Sequence, residues 1–171
     1  MNYFISDMHF GDYRMCDYGF SSVKSYDKFI IKRWRKTVSF EDDVWILGDV
    51  FRLRDKDAEA PEWYLDQLTG HKHLIAGNHD GIILANKNLQ EYFASIDTMK
   101  TILIQETPYV LCHYPLLDWA NMHKGWKLIF GHTHVHVNEG YEPICMRKPK
   151  AYALWKSQLH QIVMKASSFQ H

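Results

Sequence analysis

Apolar residues come along this chain in short bursts separated by amphipathic stretches. Tyr3-Phe4-Ile5, Val44-Trp45-Ile46-Leu47, His73-Leu74-Ile75-Ala76, Tyr109-Val110-Leu111-Cys112 and Leu128-Ile129-Phe130 are brief and rich in β-branched or aromatic side chains. Such runs, bounded by polar residues, read as buried strands. Residues 97–104 read as a further strand. Between the first two runs, Tyr26, Phe29, Ile30 and Trp34 recur every three or four positions, which predicts an amphipathic helix from Ser25 to Lys36. A second helix is expected from Pro61 to Leu68, with proline in its first turn and Gly70 just past its end. Strand alternating with helix predicts an α/β domain whose sheet is covered by helices. Residues 141–171 carry a weak pattern: Leu154, Leu159, Ile162 and Val163 fit a helix or an irregular strand equally.

The totals narrow this picture. The 171 residues fit one domain, 1–171, with all its motifs before residue 140. A chain of this length buries roughly two-thirds of its unfolded surface, so it needs no disulfide or metal staple merely to fold. Hydrophobic residues make up 46% of it, a globular composition. Lys plus Arg equals Asp plus Glu, 20 against 20. That balance argues against duplex DNA or an anionic membrane as partner, but not against a small anionic substrate held at a metal site. Cys16, Cys112 and Cys145 are widely spaced with no CxxC pair, which fits reduced thiols in a cytoplasmic protein. No basic-then-apolar leader opens the chain, and no run approaches the ~20 apolar residues of a membrane span.

The strand ends carry the chemistry. Ser6-Asp7-Met8-His9 follows the first run, Gly48-Asp49 the second, and Gly77-Asn78-His79-Asp80 the third. The fourth runs into His113, and the fifth into Gly131-His132-Thr133-His134. In open α/β sheets, loops at the carboxyl ends of strands converge on one ligand site. Singly, Asp7 and Asp49 could be turn or cap residues, and His113 a hydrogen-bonded core histidine. Jointly they form an oxygen and nitrogen donor set without thiolate, which suits Mn, Fe, Zn, Co or Ni. In Asp7-x-His9 and His132-x-His134 an extended backbone would place both side chains on one side. The glycines before Asp49, Asn78 and His132 would allow tight turns near a cation.

The ordered series D-x-H, G-D, G-N-H-D, H and G-H-x-H, spanning residues 7 to 134, resembles the calcineurin-like metallophosphoesterase superfamily. The opening Ile5-Ser6-Asp7-Met8-His9-Phe10-Gly11 is similar to its small stand-alone bacterial and phage members. The resemblance implies a four-layer α/β/β/α sandwich of two mixed β-sheets flanked by helices. It also implies a centre of two divalent metal ions, manganese first, with Fe, Zn, Ni, Co and Mg as alternatives. One ion would take Asp7, His9 and His134; the other Asn78, His113 and His132; Asp49 would bridge them. His79 would face the substrate, with Asp80 holding its ring. The activity implied is hydrolysis of phosphomono- or phosphodiester bonds of a small, nucleotide-like substrate, by a water activated between the metals. The alternatives are a nuclease acting on DNA or RNA, and a silent protein-binding scaffold such as the retromer subunit of the superfamily. The scaffold is disfavoured because His79 and every ligand position are retained. Where many relatives have a basic residue after G-N-H-D, this chain has Gly81, and Arg52 or Arg54 could take over the phosphate contact.

Overall fold

The computed structural model describes residues 1–134 and the backbone of residues 142–143. Four strands, β1 (Asn2–Ile5), β2 (Asp43–Ile46), β3 (His71–Ile75) and β4 (Ser95–Asp97), form one sheet in that order, every pair parallel. The second sheet runs β5 (Met99–Ile104), β6 (Thr107–Cys112), β7 (Lys127–Phe130) and β8 (Glu142–Pro143). It is mixed: β5 pairs antiparallel with β6, while β6–β7 and β7–β8 are parallel. The single strand expected over 97–104 is two strands in different sheets. Asp97 ends β4 and Met99 begins β5, so the chain changes sheets at Thr98.

Both faces of the central strands are covered, which is why they read as continuous apolar runs rather than alternating ones. Tyr3, Ile5, Val44, Ile46 and Leu74 point to the helix side, where Tyr26, Ile30, Trp34, Tyr64 and Leu65 meet them. Phe4, Trp45, Leu47 and Ile75 point the other way, onto Ile104, Tyr109, Leu111 and Ile129 of the second sheet. The outer face of that sheet, with Val110, Cys112, Leu128 and Phe130, is covered by Leu116, Trp119 and Trp126. Among the described residues this fourth layer is a loop with one 3₁₀ turn, Met122–Lys124.

Helix α1 spans Val23–Thr37, two residues longer at its start than the apolar stripe indicated, because Ser22 caps it. The Ser22 side chain accepts from the Ser25 N–H, and the Ser25 hydroxyl in turn receives the Ser22 N–H. Arg35 and Lys36 sit in its last turn, where cations complement the helix dipole. Helix α2 covers Pro61–Asp66 and stops short of Leu68. Two four-residue helices, α3 (Gly81–Leu84) and α4 (Lys87–Gln90), follow β3. No helix among the described residues is long and apolar enough to cross a membrane.

One charged residue of α1 lies inside this packing. Asp27 is 3% exposed, accepting from the Tyr64 hydroxyl at 2.8 Å and the Gly11 N–H at 3.3 Å. Burial pushes its carboxyl up to about 6 against the pull of those two donors. An acid whose folded pKa exceeds its unfolded value near 4 favours the folded state fully below about pH 4. That contribution is lost as pH rises through about 6. Asp27→Asn keeps an acceptor for one donor and removes the buried charge. In chelator, its melting temperature is expected to exceed that of the parent at pH 7, by the equivalent of about 2 kcal/mol. The gap should close toward pH 4; a gap that stays constant between pH 4 and 7 would refute the assignment.

Candidate metal centre

The parallel pairing of β1 and β2 continues past both strands. Asp7 N donates to Gly48 O, His9 N to Asp49 O, Phe10 N to Val50 O, Arg52 N to Phe10 O, and Arg54 N to Gly11 O. The first and second motifs are thus zipped side by side. The Tyr26 hydroxyl fastens the first of them from below, donating to Met8 O at 2.7 Å. The third motif is tied to the second by Asp80. Its Oδ2 accepts the N–H of Asp49 at 2.9 Å and of Gly77 at 2.7 Å, and its Oδ1 accepts the Val50 N–H at 2.9 Å. The carboxylate therefore serves three backbone amides rather than the His79 ring. Burial raises its pKa, although all three amides work to lower it.

These ties bring Asp7, His9, Asp49, Asn78, His113, His132 and His134 to one place. Donor atoms of Asp7, His9 and His134 lie within 4.8 Å of one another, as do those of Asp49, His113 and His132. The Asp49 carboxylate stands between the groups. Its Oδ2 is 3.5 Å from His9 Nε2 and its Oδ1 is 3.6 Å from His113 Nε2. Asp7 Oδ1 is 3.6 Å from His9 Nε2 and 3.5 Å from His134 Nε2. These spacings are long for hydrogen bonds. They match two ligands sharing one cation with bonds of about 2.0–2.2 Å.

The hydrogen-bond directions fit a cation as well. Asp7 Oδ2 is occupied by the Ser6 hydroxyl at 2.6 Å and the His132 N–H at 2.9 Å, whereas Asp7 Oδ1 and both ring nitrogens of His9 are buried without a partner. Unpaired buried polar atoms are rare because each costs about 1–3 kcal/mol. In the other group, His113 Nδ1 lies 2.7 Å from Leu47 O, a carbonyl that can only accept, so Nδ1 carries the proton. The neutral ring then turns a lone pair at Nε2 toward Asn78 Oδ1 at 3.1 Å and His132 Nδ1 at 3.2 Å. With the His132 proton on Nε2, its Nδ1, also 3.0 Å from Asn78 Oδ1, joins them as a third acceptor, an arrangement that suits a positive ion. For Asp7, burial raises the pKa, but His9, His134 and Ser6 outweigh it and hold the carboxyl below its ordinary value.

The backbone reaches this arrangement by an unusual route. Asp7, His9, Asp49, His132 and His134 all have positive φ, between 45° and 67°. The side chains therefore converge from left-handed turns, not from the extended segments the two-residue spacing indicated. His132 and His134 also go to different donor groups. Each left-handed non-glycine residue costs on the order of 1 kcal/mol, a strain that persists where function demands it. Two of the glycines act by size rather than by turning. A Cβ on Gly77 would lie 2.5 Å from Asp49 Oδ1, and one on Gly131 would lie 2.7 Å from Asp7 Oδ2.

No family model matches the chain. Protein MJ1445 of Methanocaldococcus jannaschii is 32% identical to it over 141 residues, covering 80% of this chain and 72% of that protein. The chain belongs to the MJ1445 family. Among solved structures, protein AQ665 of Aquifex aeolicus superposes with a TM-score of 0.60 at 28% identity, over 85% of this chain and 88% of its own. An archaeal phosphodiesterase superposes with a TM-score of 0.51 at 18% identity, over 84% and 81% of the two chains. That second likeness is one of fold: this MJ1445-family member shares the mixed α/β architecture of that phosphodiesterase.

Around the donor groups of this MJ1445-family protein lie residues that could meet a ligand. The His79 ring is 29% exposed, 4.0 Å from Asp49 Oδ2, and its centroid is 5.5 Å from that of His9. Its pKa is lowered, first by burial and then by the positive charges of His9, Arg54 and Arg14, with Asp49 opposing. Arg52 and Arg54 stand on the same ladder as Asp49, a few residues farther out. Two neighbours had no signal in the motif series. Tyr114 packs edge-on against both His113 and His132 and is 42% exposed. Arg14 is held by the buried carboxylate of Asp12. Tyr114 directly follows His113, so position along the chain could have raised it; nothing local could have raised Arg14.

Proposed function

We propose that this protein hydrolyses phosphoesters at a pair of divalent cations. Asp7, His9 and His134 would hold one, Asn78, His113 and His132 the other, and Asp49 both. The observation that carries this reading is the Asp49 carboxylate, with one oxygen 3.5 Å from His9 Nε2 and the other 3.6 Å from His113 Nε2. Bound there, the cations would polarise a phosphoryl oxygen and lower the pKa of water. The chain supplies the rest. Leu47 O fixes the His113 ring in the tautomer that leaves Nε2 available. The His79 main-chain N–H donates to Asp49 Oδ1 at 2.9 Å and so ties the bridging carboxylate to the third motif. The His79 ring stands at the open side, where a proton on it would steady charge on the departing oxygen. The neutral overall charge favours a small, nucleotide-like substrate over long nucleic acid.

The test is a metal-reconstituted screen, manganese first, over phosphomonoesters, phosphodiesters, 2′,3′-cyclic nucleotides and oligonucleotides, with metal content measured in parallel. Hydrolysis of small esters that requires added metal is expected. Bound metal with no hydrolysis of any of them would favour the scaffold, and cleavage of oligonucleotides alone would favour the nuclease. His79→Ala should lower turnover by roughly 10²–10⁴-fold while metal content stays at the parental level. Full activity in that variant would remove His79 from the chemistry.

A further inference from the structure

Beyond the residues of the two donor groups, segments 7–14 and 48–54 carry three arginines, Arg14, Arg52 and Arg54, and one further deeply buried carboxylate, Asp12. Asp12 is completely buried. It caps the 3₁₀ helix Tyr13–Tyr18, accepting the Arg14 N–H at 3.1 Å. It also grips the Arg14 guanidinium, with Nε at 3.2 Å and Nη2 at 3.1 Å from Oδ2. Arg52 Nε comes to 3.9 Å from the same oxygen, too far for a hydrogen bond, and is itself buried with no hydrogen-bond partner. Arg54 is exposed and forms no ion pair among the described residues; its backbone is pinned to Gly11 O, directly before Asp12.

Two guanidiniums, of Arg14 and Arg52, thus face a single carboxylate, and the Arg54 backbone is pinned directly beside it at Gly11 O. Like charges crowded in a partly buried place repel, and a charge paired only in part costs free energy unless a counter-charge arrives. The carboxylate is spent on orienting Arg14, not on neutralising the group. Arg14 engages it through Nε and Nη2, which leaves Nη1 as a donor. Planar, oriented guanidiniums are suited to bidentate contact with phosphate oxygens. Arg52 and Arg54 extend the backbone ladder that joins His9 to Asp49, and the charges of Arg54 and Arg14 help to lower the pKa of the His79 ring. These arginines belong to neither donor group, so they would not compete with it for a phosphate.

We propose that Arg14, Arg52 and Arg54, with Asp12 as the residue that positions Arg14, form a subsite for a second phosphate group of the substrate, one that is not cleaved. The substrate class is therefore a phosphoester carrying another phosphate, as in a nucleoside bisphosphate or a short phosphorylated strand. The inference rests on the proposed reading of the metal centre, which would hold the scissile phosphate.

Binding can be measured apart from turnover. In the manganese-loaded His79→Ala protein, calorimetry compares adenosine 5′-monophosphate, adenosine 3′,5′-bisphosphate and a 5′-phosphorylated dinucleotide. The bisphosphate is expected to bind at least about tenfold more tightly than the monophosphate, the scale of one added charge-assisted contact. Adding Arg14→Ala or Arg54→Ala should bring that ratio close to one; the Arg54 side chain is exposed, so its truncation leaves the core intact, and the melting temperature of the Arg14 variant checks that it folds without its grip on buried Asp12. Asp12→Asn, which still caps the 3₁₀ helix but grips Arg14 more weakly, should lower the ratio part of the way. A dinucleotide that binds more tightly than the bisphosphate assigns the second phosphate to a strand, and the reverse assigns it to a free nucleotide. A ratio near one in the His79→Ala parent, or an undiminished ratio in both arginine variants, overturns the subsite. The two proposals fail separately. A preserved ratio in a protein that hydrolyses nothing would sink only the hydrolase reading, and metal-dependent hydrolysis without the ratio would sink only the subsite.

Discussion

Asp49→Asn is expected to abolish metal-dependent turnover, by at least about 10³-fold, and to reduce bound metal to one ion per chain or none. Loss of a single charge-stabilising group commonly costs about 10²–10³ in rate, and here loss of a cation adds to it. Among the described residues, Asp49 is the carboxylate with one oxygen near each set of histidines, 3.5 Å from His9 Nε2 and 3.6 Å from His113 Nε2. An asparagine offers one oxygen where two are needed and turns an N–H toward the second cation. A further readout separates this from general damage. A ligand that binds only the folded state raises the melting temperature in proportion to its affinity. Parent and variant should therefore melt within a few degrees of each other in chelator, while the rise on adding manganese is lost in the variant. A variant that keeps two ions and most of its activity would end the bridging assignment.

The residues that the structure gathers into the two donor groups were legible because each motif closes a short apolar run, and strand ends are where an α/β sheet gathers its loops. Helices α1 and α2 were legible from local spacing and turn residues, whereas the four-residue helices α3 and α4 carried no such stripe. What escaped were features fixed by partners distant in sequence. A two-residue spacing reads as extended backbone, yet Asp7 and His9 take left-handed φ because their N–H groups are claimed by Gly48 O and Asp49 O. Residues 97–104 read as one strand because nothing in their pattern marks Thr98 as the point where hydrogen bonding passes from β3 to β6. The embrace of Arg14 by Asp12 looks like an ordinary polar turn until burial shows the carboxylate sealed from water. The weak pattern at Leu154, Leu159, Ile162 and Val163 lies outside the described residues.

The positive-φ residues bear on how the two donor groups are kept in shape. Five residues in an unfavourable backbone region could relax only if their loops separated. Those loops are held by main-chain bonds from one motif to the next, and the shared acceptor for the second and third motifs is Asp80. The chemistry-bearing side chains thus depend on a residue that touches none of the donor atoms' open positions.

Asp80→Ala should therefore be the most damaging single change to stability among the site residues. It would leave the N–H groups of Asp49, Val50 and Gly77 buried and without their acceptor. Each such loss costs about 1–3 kcal/mol, and the three together on the order of 4 kcal/mol once partial relaxation is allowed. For a domain of this size that corresponds to a fall in melting temperature of roughly 10 °C. Asp80→Asn retains one oxygen but sets an NH2 against at least one backbone N–H, so a smaller fall is expected. Both variants should bind metal more weakly, because the Asp49 and Asn78 loops would no longer be fixed to each other. This differs from His79→Ala, which spares metal binding, and from Asp49→Asn, which spares the melting temperature in chelator. Were Asp80→Ala to melt within a degree or two of the parent while losing turnover, its carboxylate would have to act on the reaction itself, through the His79 ring, and the backbone-clamp role would be wrong.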